Sequence, residues 1–181
     1  MPELILVTGG ARSGKSKFAT ELALNFSSPV TFIATAPYYE DLEMKERIDL
    51  HRKSRPSHWQ TIEEQEDVAS ILLKINSPQK VVIVDCLTLL ISNLLLKKRG
   101  EKKILAQVEA IANAGRKFNK ATIIVSNEVG WGVVPPTKLG RKFRDIAGMA
   151  NQIVARESNQ VWLLVCGIPC RLKDNDLQQE K

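Results

Sequence analysis

The octapeptide GGARSGKS, residues 9 to 16, has the residue types and spacing to hold phosphate. It fits G-x-x-x-x-G-K-[ST], with Gly9, Gly14, Lys15 and Ser16 in the required places. In such a loop the glycines let the backbone curl until successive N–H groups point at phosphate oxygens. The lysine reaches the β- and γ-phosphates, and the hydroxyl of the last residue ligates Mg²⁺. The context agrees: the loop follows the strand-like run LILV and opens a helical pattern, whose N-terminus adds positive potential. A second oxygen ligand comes from VVIVDC, residues 81 to 86, where four apolar residues deliver Asp85 to the C-terminal end of a strand. In phosphate-loop proteins such an aspartate holds Mg²⁺ or its water. Capping of a helix that starts at Leu87 is the other reading of Asp85.

The two histidines of the chain, His51 and His58, both fall in RIDLHRKSRPSHW, residues 47 to 59. A metal pair is disfavoured, because ligands on one helix stand three or four residues apart and Pro56 interrupts this segment. The pattern before it predicts a helix with Met44, Ile48 and His51 on one face. Arg52, Lys53 and Arg55 lower the pKa of a nearby imidazole and attract polyphosphate. A neutral imidazole beside a triphosphate has a free lone pair and can attack phosphorus, which leaves a reactive phosphoramidate. His58, next to Trp59, reads as a structural residue.

Positioning these groups requires a scaffold, and the apolar runs supply one. LILVTGG (4 to 10), VTFIATA (30 to 36), VVIVDC (81 to 86), TIIVSNE (122 to 128) and VWLLVCG (161 to 167) read as strands buried on both faces of a parallel sheet. Between them, residues 16 to 26, 67 to 75, 87 to 98, 104 to 118 and 139 to 158 carry helical patterns. Alternation of this kind predicts an α/β sandwich with a mostly parallel sheet. The stretch from 37 to 66 has no strong apolar run and reads as a functional excursion.

With 181 residues, 44% hydrophobic and 25% charged, the chain is expected to form one domain over 1 to 173, followed by a polar tail, DNDLQQEK, from 174 to 181. No apolar run approaches the ~20 residues of a membrane span. LILV is too short for a signal-peptide core, so a cytoplasmic protein is expected. A net charge of +6 suits an anionic partner: nucleotide, phosphorylated substrate or nucleic acid. KKRGEKK, residues 97 to 103, reads as a solvated turn between helices. Cys86, Cys166 and Cys170 read as buried thiols rather than a zinc site.

Taken together, TGGARSGKS, IATA, EMKERIDLHRKSRPSHWQTIEE, VDCLTLLISN, SNEVGWGVVP and LGRKFRDIAGMANQ resemble the bifunctional adenosylcobinamide kinase/adenosylcobinamide-phosphate guanylyltransferases of cobalamin biosynthesis. The resemblance runs over about residues 4 to 173. It implies a phosphate-loop (RecA-like) three-layer fold, a homotrimer, and two reactions with ATP or GTP as substrates. The aminopropanol hydroxyl of adenosylcobinamide is phosphorylated; GMP from GTP is then transferred to that phosphate through a guanylyl-histidine, releasing pyrophosphate. The histidine maps onto His51. Nucleotide contacts map onto Gly9, Gly10, Ala11, Arg12, Ser13, Gly14, Lys15 and Ser16, onto Ala34, Thr35 and Ala36, onto Arg52, Lys53, Ser54 and Arg55, and onto Glu63 and Asp85. The strand end Asn127-Glu128 and the loop EVGWGVVPP would line the corrinoid side or a subunit boundary, with Arg141, Arg144 and Asp145 at a neighbouring site or on a solvated helix face. Leu50 stands where some relatives carry a second histidine, which leaves His51 as the nucleophile candidate before the basic run.

Two other readings stay open on the sequence. Retention of only one of the two activities is one, since a single phosphate loop serves either. A nucleic-acid-stimulated ATPase is the other; against it, aromatics are 6% and none interleave with the basic clusters as stacking platforms would.

Overall fold

A strand buried on both faces needs an apolar residue at every position, and β1 (Glu3–Gly9) has one at each of Leu4 to Val7. Leu4 and Leu6 enter one core; Ile5 and Val7 enter the other. β2 (Val30–Ala34), β4 (Val81–Asp85) and β5 (Ala121–Val125) divide in the same way, with Ile33, Val82, Val84 and Ile124 on the first side and Phe32, Ile83, Ile123 and Val125 on the second.

The computed structural model describes residues 2–36, 55–75, 77, 79–117 and 119–174. Its other elements are α1 (Lys15–Asn25), β3 (Gln60–Glu63), α2 (Val68–Ile75), α3 (Leu87–Leu96), α4 (Glu101–Lys117), α5 (Lys138–Glu157), β6 (Gln160–Val165) and β7 (Ile168–Asp174). Seven strands form one sheet in the order β3-β2-β4-β5-β1-β6-β7. Every pair is parallel except β6 with β7. α1 and Trp59 cover one face; α2, α3, α4 and α5 cover the other, giving the three layers expected. Leu72, Leu90, Ile104 and Ile111 are fully buried on the four-helix side, each worth about 1.5–3 kcal/mol of burial.

One register row crosses the sheet near its C-terminal edge. Ala34 pairs with both Glu63 and Asp85, Asp85 pairs with Val125, and Val125 pairs with Val7. The loops after β1, β2, β4 and β5 all leave from this edge, where open parallel sheets bind ligands.

Three differences from the sequence reading concern edges. The last part of the supposed excursion is β3, a polar strand that pairs on one side only with β2 and stays largely exposed. β7 is an antiparallel edge strand that runs through Asp174, one residue past the boundary drawn for the tail. It carries Pro169, which an edge tolerates. The third is the thiols: Cys86 is buried, but Cys166 and Cys170 are exposed, because both lie at or beyond the β6–β7 turn. KKRGEKK is the turn between α3 and α4, and Lys97 and Arg99 from it reach Glu66.

Candidate active site

β1 delivers the phosphate loop under tight packing. Gly9 has φ +149°, and a Cβ there would stand 2.4 Å from the Leu164 carbonyl oxygen of β6. Gly14 precedes α1 with φ 96°, which favours glycine. The N–H groups of the first turn of α1 then face out of the loop without intrahelical partners, as an anion site requires. The β6–β7 turn supports the loop from below: the Gly167 N–H donates to the Ser13 carbonyl at 3.1 Å. Lys15 is nearly buried and its Nζ donates to the Gly10 carbonyl at 2.6 Å. Burial lowers the Lys15 pKa, and the neighbouring acidic groups Cys86, Asp85 and Glu128 oppose that shift. Ala11 and Arg12 are exposed, and the Ser13 hydroxyl is buried with no partner among the described residues.

Asp85 arrives at the same place from β4. Its Oδ2 accepts a hydrogen bond from Ser16 Oγ at 3.0 Å. It does not cap α3, whose N-cap is Cys86 with no side-chain cap bond. A hydroxyl and a carboxylate oxygen side by side are hard donors, which suit Mg²⁺. Among the described residues no group of three His, Cys, Asp or Glu could hold a metal. Mg²⁺ sites that draw their remaining ligands from substrate phosphates and water need no such group. The neighbouring Cys86 thiol is pushed up to about 11, first by burial and then by Asp85.

The end of β2 is held rigidly. Thr35 is fully buried; its hydroxyl donates to the Cys86 carbonyl at 2.7 Å and accepts from the Cys86 N–H at 2.8 Å. Its N–H donates to the Asp85 carbonyl, and its own carbonyl accepts from Asn93 Nδ2 at 2.9 Å. Thr35 therefore fixes the Asp85–Cys86 backbone, while Ala34 and Ala36 on either side are partly open. Glu63 ends β3 in the next position along the row, and the Arg55 guanidinium stacks 3.7 Å from the Phe32 ring centroid.

A polar network at the end of β5 was not evident from the residue pattern. The Glu128 N–H donates to the Gly9 carbonyl at 3.0 Å. Glu128 Oε1 accepts from Thr8 Oγ1 at 2.7 Å and from Asn151 Nδ2 at 3.0 Å. Ser126 Oγ donates to Asn151 Oδ1 at 2.6 Å. Asn127 Nδ2 donates to Thr88 Oγ1 at 2.6 Å. The available signal was the polar residues Thr8 and Ser126 closing otherwise apolar strands.

The structure thus brings residues 9 to 16, residues 34 to 36, Glu63 and Asp85 to one edge of the sheet. His51, Arg52, Lys53 and Ser54, and the helix expected through Met44 and Ile48, lie outside the described residues. His58 departs from its reading as a packing residue. It is exposed and lines an open cleft of about 510 Å³ with Leu24, Thr31 and Lys80, while Trp59 alone enters the core. In the loop after Glu128, Trp131, Val133 and Val134 are exposed by 68%, 95% and 58%. Arg141 donates to the Pro135 and Pro136 carbonyls, and Arg144 pairs with Asp145, so both arginines are held locally.

Comparison with known proteins follows this geometry. The family model described as cobinamide kinase / cobinamide phosphate guanyltransferase matches residues 5–172. A bifunctional adenosylcobalamin biosynthesis protein of Escherichia coli K12 is 40% identical, over 94% of this chain and 99% of its own. The protein of the same description from Salmonella typhimurium LT2 is 36% identical over the same shares. Its Pseudomonas aeruginosa PAO1 counterpart is 40% identical, over 95% and 98%. Among solved structures, a prototypical ATPase from the type III secretion system of pathogenic bacteria superposes with a TM-score of 0.56 at 9% identity. That match takes in 91% of this chain and about half, 51%, of the ATPase. A Pyrococcus horikoshii OT3 protein gives 0.56 at 11% identity, over 96% and 87%. These two likenesses concern the fold alone.

Proposed function

The chain belongs to the cobinamide kinase / cobinamide phosphate guanyltransferase family, and from that premise we propose how one edge of the sheet serves two reactions. The enzyme is a kinase and a guanylyltransferase of adenosylcobalamin synthesis. In the first reaction the hydroxyl of adenosylcobinamide takes the γ-phosphoryl group of ATP or GTP. In the second, GMP from GTP is joined to the new phosphate, giving adenosylcobinamide-GDP and pyrophosphate.

The observation that carries this reading is the meeting of Lys15, Ser16 and Asp85 beneath the first turn of α1. The loop N–H groups bind the phosphates, and Lys15 leaves Gly10 to neutralise charge on the transferring group or on pyrophosphate. Ser16 Oγ and Asp85 would hold Mg²⁺, which when bound would supply further charge neutralisation at the phosphate oxygens. Ala34, Ala36, Glu63 and Arg55 line the nucleotide on the β2–β3 side.

His51 belongs to the connection that leaves this edge after Ala36. In our reading its ring nitrogen attacks the α-phosphorus of GTP, and the bond to the β-phosphate oxygen breaks to release pyrophosphate. An oxygen of adenosylcobinamide phosphate then attacks the same phosphorus and the histidine departs. Arg52, Lys53, Ser54 and Arg55 steady the phosphates during both displacements.

Several wider properties go with the proposal. The protein is a homotrimer, supported by the exposed Trp131, Val133 and Val134, which a neighbouring subunit would cover. It acts on small molecules rather than nucleic acid, since Lys97 and Arg99 of its densest basic cluster are engaged with Glu66. No helix among the described residues is long and apolar enough to cross a membrane. The exposed thiols of Cys166 and Cys170 suit a reducing cytoplasm.

The test is incubation with radiolabelled GTP. Label in the α-position should remain on the denatured protein, labile to acid and stable to alkali, and γ-label should not. His51→Ala should lose the adduct and guanylyl transfer but keep cobinamide phosphorylation, and His58→Ala should still be labelled. Retained labelling in His51→Ala refutes the assignment.

A further inference from the structure

The kinase reaction must dispose of a proton that the guanylyl transfer does not have. A hydroxyl that attacks phosphorus has to lose its hydrogen, whereas the phosphate that accepts GMP is already an anion. The group that takes this proton has to stand near the γ-phosphate, carry an accepting lone pair, and be held against the pull of Lys15.

Glu128 meets these conditions. Its backbone is clamped to the first residue of the phosphate loop, N–H to the Gly9 carbonyl at 3.0 Å. Both side-chain hydrogen bonds, from Thr8 Oγ1 at 2.7 Å and Asn151 Nδ2 at 3.0 Å, fall on the same oxygen, Oε1. No donor among the described residues reaches Oε2. Two donors on one oxygen fix the plane of a half-buried carboxylate and leave the other oxygen for a ligand. Asn151 is itself oriented by Ser126 at 2.6 Å, so the support extends into the buried end of β5. The charged and titratable groups nearby are Lys15 from α1, Asp85 at the end of β4, and Cys86, the N-cap of α3. Asp85 is already engaged by Ser16, and Cys86 is buried with its sulfur against Thr88. Asp85 also keeps one oxygen, Oδ1, without a hydrogen bond among the described residues, but it belongs with Ser16 to the pair assigned to Mg²⁺, which leaves Glu128 as the carboxylate for the proton.

We propose that Glu128 Oε2 accepts the proton of the substrate hydroxyl in the kinase step, a role that rests on the two-reaction reading above. The hydroxyl oxygen forms a bond to the γ-phosphorus as its O–H bond breaks toward Oε2. The bond from the γ-phosphorus to the bridging oxygen breaks, and its electron pair leaves with the nucleoside diphosphate. The carboxylic acid then returns its proton to solvent. Thr8 and Asn151 are positioning residues, holding Oε1 so that Oε2 faces the reacting oxygen.

The experiment measures both half-reactions in the whole enzyme: phosphorylation of adenosylcobinamide, and formation of the acid-labile adduct from α-labelled GTP. Glu128→Gln keeps the size and an oxygen to accept from Thr8 and Asn151. It should slow phosphorylation by ~10²-fold or more, the usual contribution of a general base. That loss should exceed any loss in adduct formation by at least about tenfold. The acid-side fall in the wild-type kinase kcat/KM should also disappear in Glu128→Gln, which a merely structural change would not produce. Glu128→Asp should recover part of the rate. Equal losses in the two half-reactions, a kinase loss below about fivefold, or an unchanged acid limb would each overturn the role of Glu128. If wild-type enzyme phosphorylates no adenosylcobinamide, the two-reaction reading falls, and this inference falls with it.

Discussion

Replacing Thr35 with valine removes one oxygen and almost no volume, yet it should cost the fold about 3 kcal/mol. The hydroxyl makes two short hydrogen bonds to one residue, donating to the Cys86 carbonyl at 2.7 Å and accepting from the Cys86 N–H at 2.8 Å. Thr35 is 0% exposed, so water cannot take its place. The buried Cys86 N–H left unpaired costs ~1–3 kcal/mol, and the Cys86 carbonyl, which keeps its bond from the Leu90 N–H, loses one hydrogen bond worth ~0.5–1.5 kcal/mol, so the sum is expected near the middle of that combined range. In a domain of this size each kcal/mol moves Tm by roughly 2–4 °C, so a fall of roughly 6–12 °C is expected. Thr35→Ser is the control, because it keeps both hydrogen bonds and loses only a methyl group, about 1 kcal/mol. Urea denaturation followed by circular dichroism gives both values. The backbone that Thr35 fixes also carries Asp85, so the valine variant should be slow in both half-reactions at temperatures where it remains folded. Equal stability of the valine and serine variants would refute the reasoning, since the hydroxyl would then contribute nothing.

Three further outcomes are expected. Lys15→Ala should slow both half-reactions by at least ~10²-fold, the scale of losing one electrostatic stabiliser; near-normal rates would remove the loop lysine from the mechanism. In a colorimetric thiol titration at neutral pH, Cys166 and Cys170 should react and Cys86, with its pKa pushed up to about 11, should react only after denaturation. Three rapidly reacting thiols in native enzyme would contradict the burial of Cys86. Light scattering at micromolar protein should give three times the 20.2 kDa chain mass, and a monomer would remove the trimer from the proposal.

Much of the fold can be read from the residues because burial on both faces leaves a signature that local physics alone writes. Leu4 to Val7 or Val81 to Val84 have no other way to be satisfied than in the middle of a sheet. Edge strands lack that constraint. QTIE and IPCRLKD hydrogen-bond to a single neighbour and keep polar or exposed side chains, so β3 and β7 carry no comparable pattern. The phosphate loop and Asp85 were legible for a similar reason: their chemistry dictates residue type and spacing together. Asn151 was not, and Thr35, expected as a nucleotide contact, is instead fully buried with its hydroxyl committed to Cys86; the work of both depends on partners 23 and 51 residues away, Glu128 and Cys86. The exposure of Cys166 could not be foreseen from VWLLVCG, which reads as strand until the backbone turns at φ 52°. His58 misled for the converse reason: it shares with Trp59 the turn that leads into β3, closed by the Trp59 N–H on the Pro56 carbonyl, and in that turn only Trp59 enters the core.

The position of β1 in the sheet has a consequence for how the chain is made. Its two neighbours are β5, which begins at Ala121, and β6, which begins at Gln160. The ribosome therefore releases the strand bearing the phosphate loop long before either partner exists. At ~5–20 residues per second, the interval is on the order of ten seconds. Throughout it, Leu4, Ile5, Leu6 and Val7 have no sheet to enter, and the loop has no β6–β7 turn beneath Ser13. The phosphate loop thus acquires its shape long after it has been encoded. A growing chain cannot give the loop its full support until β5, β6 and the β6–β7 turn have been translated.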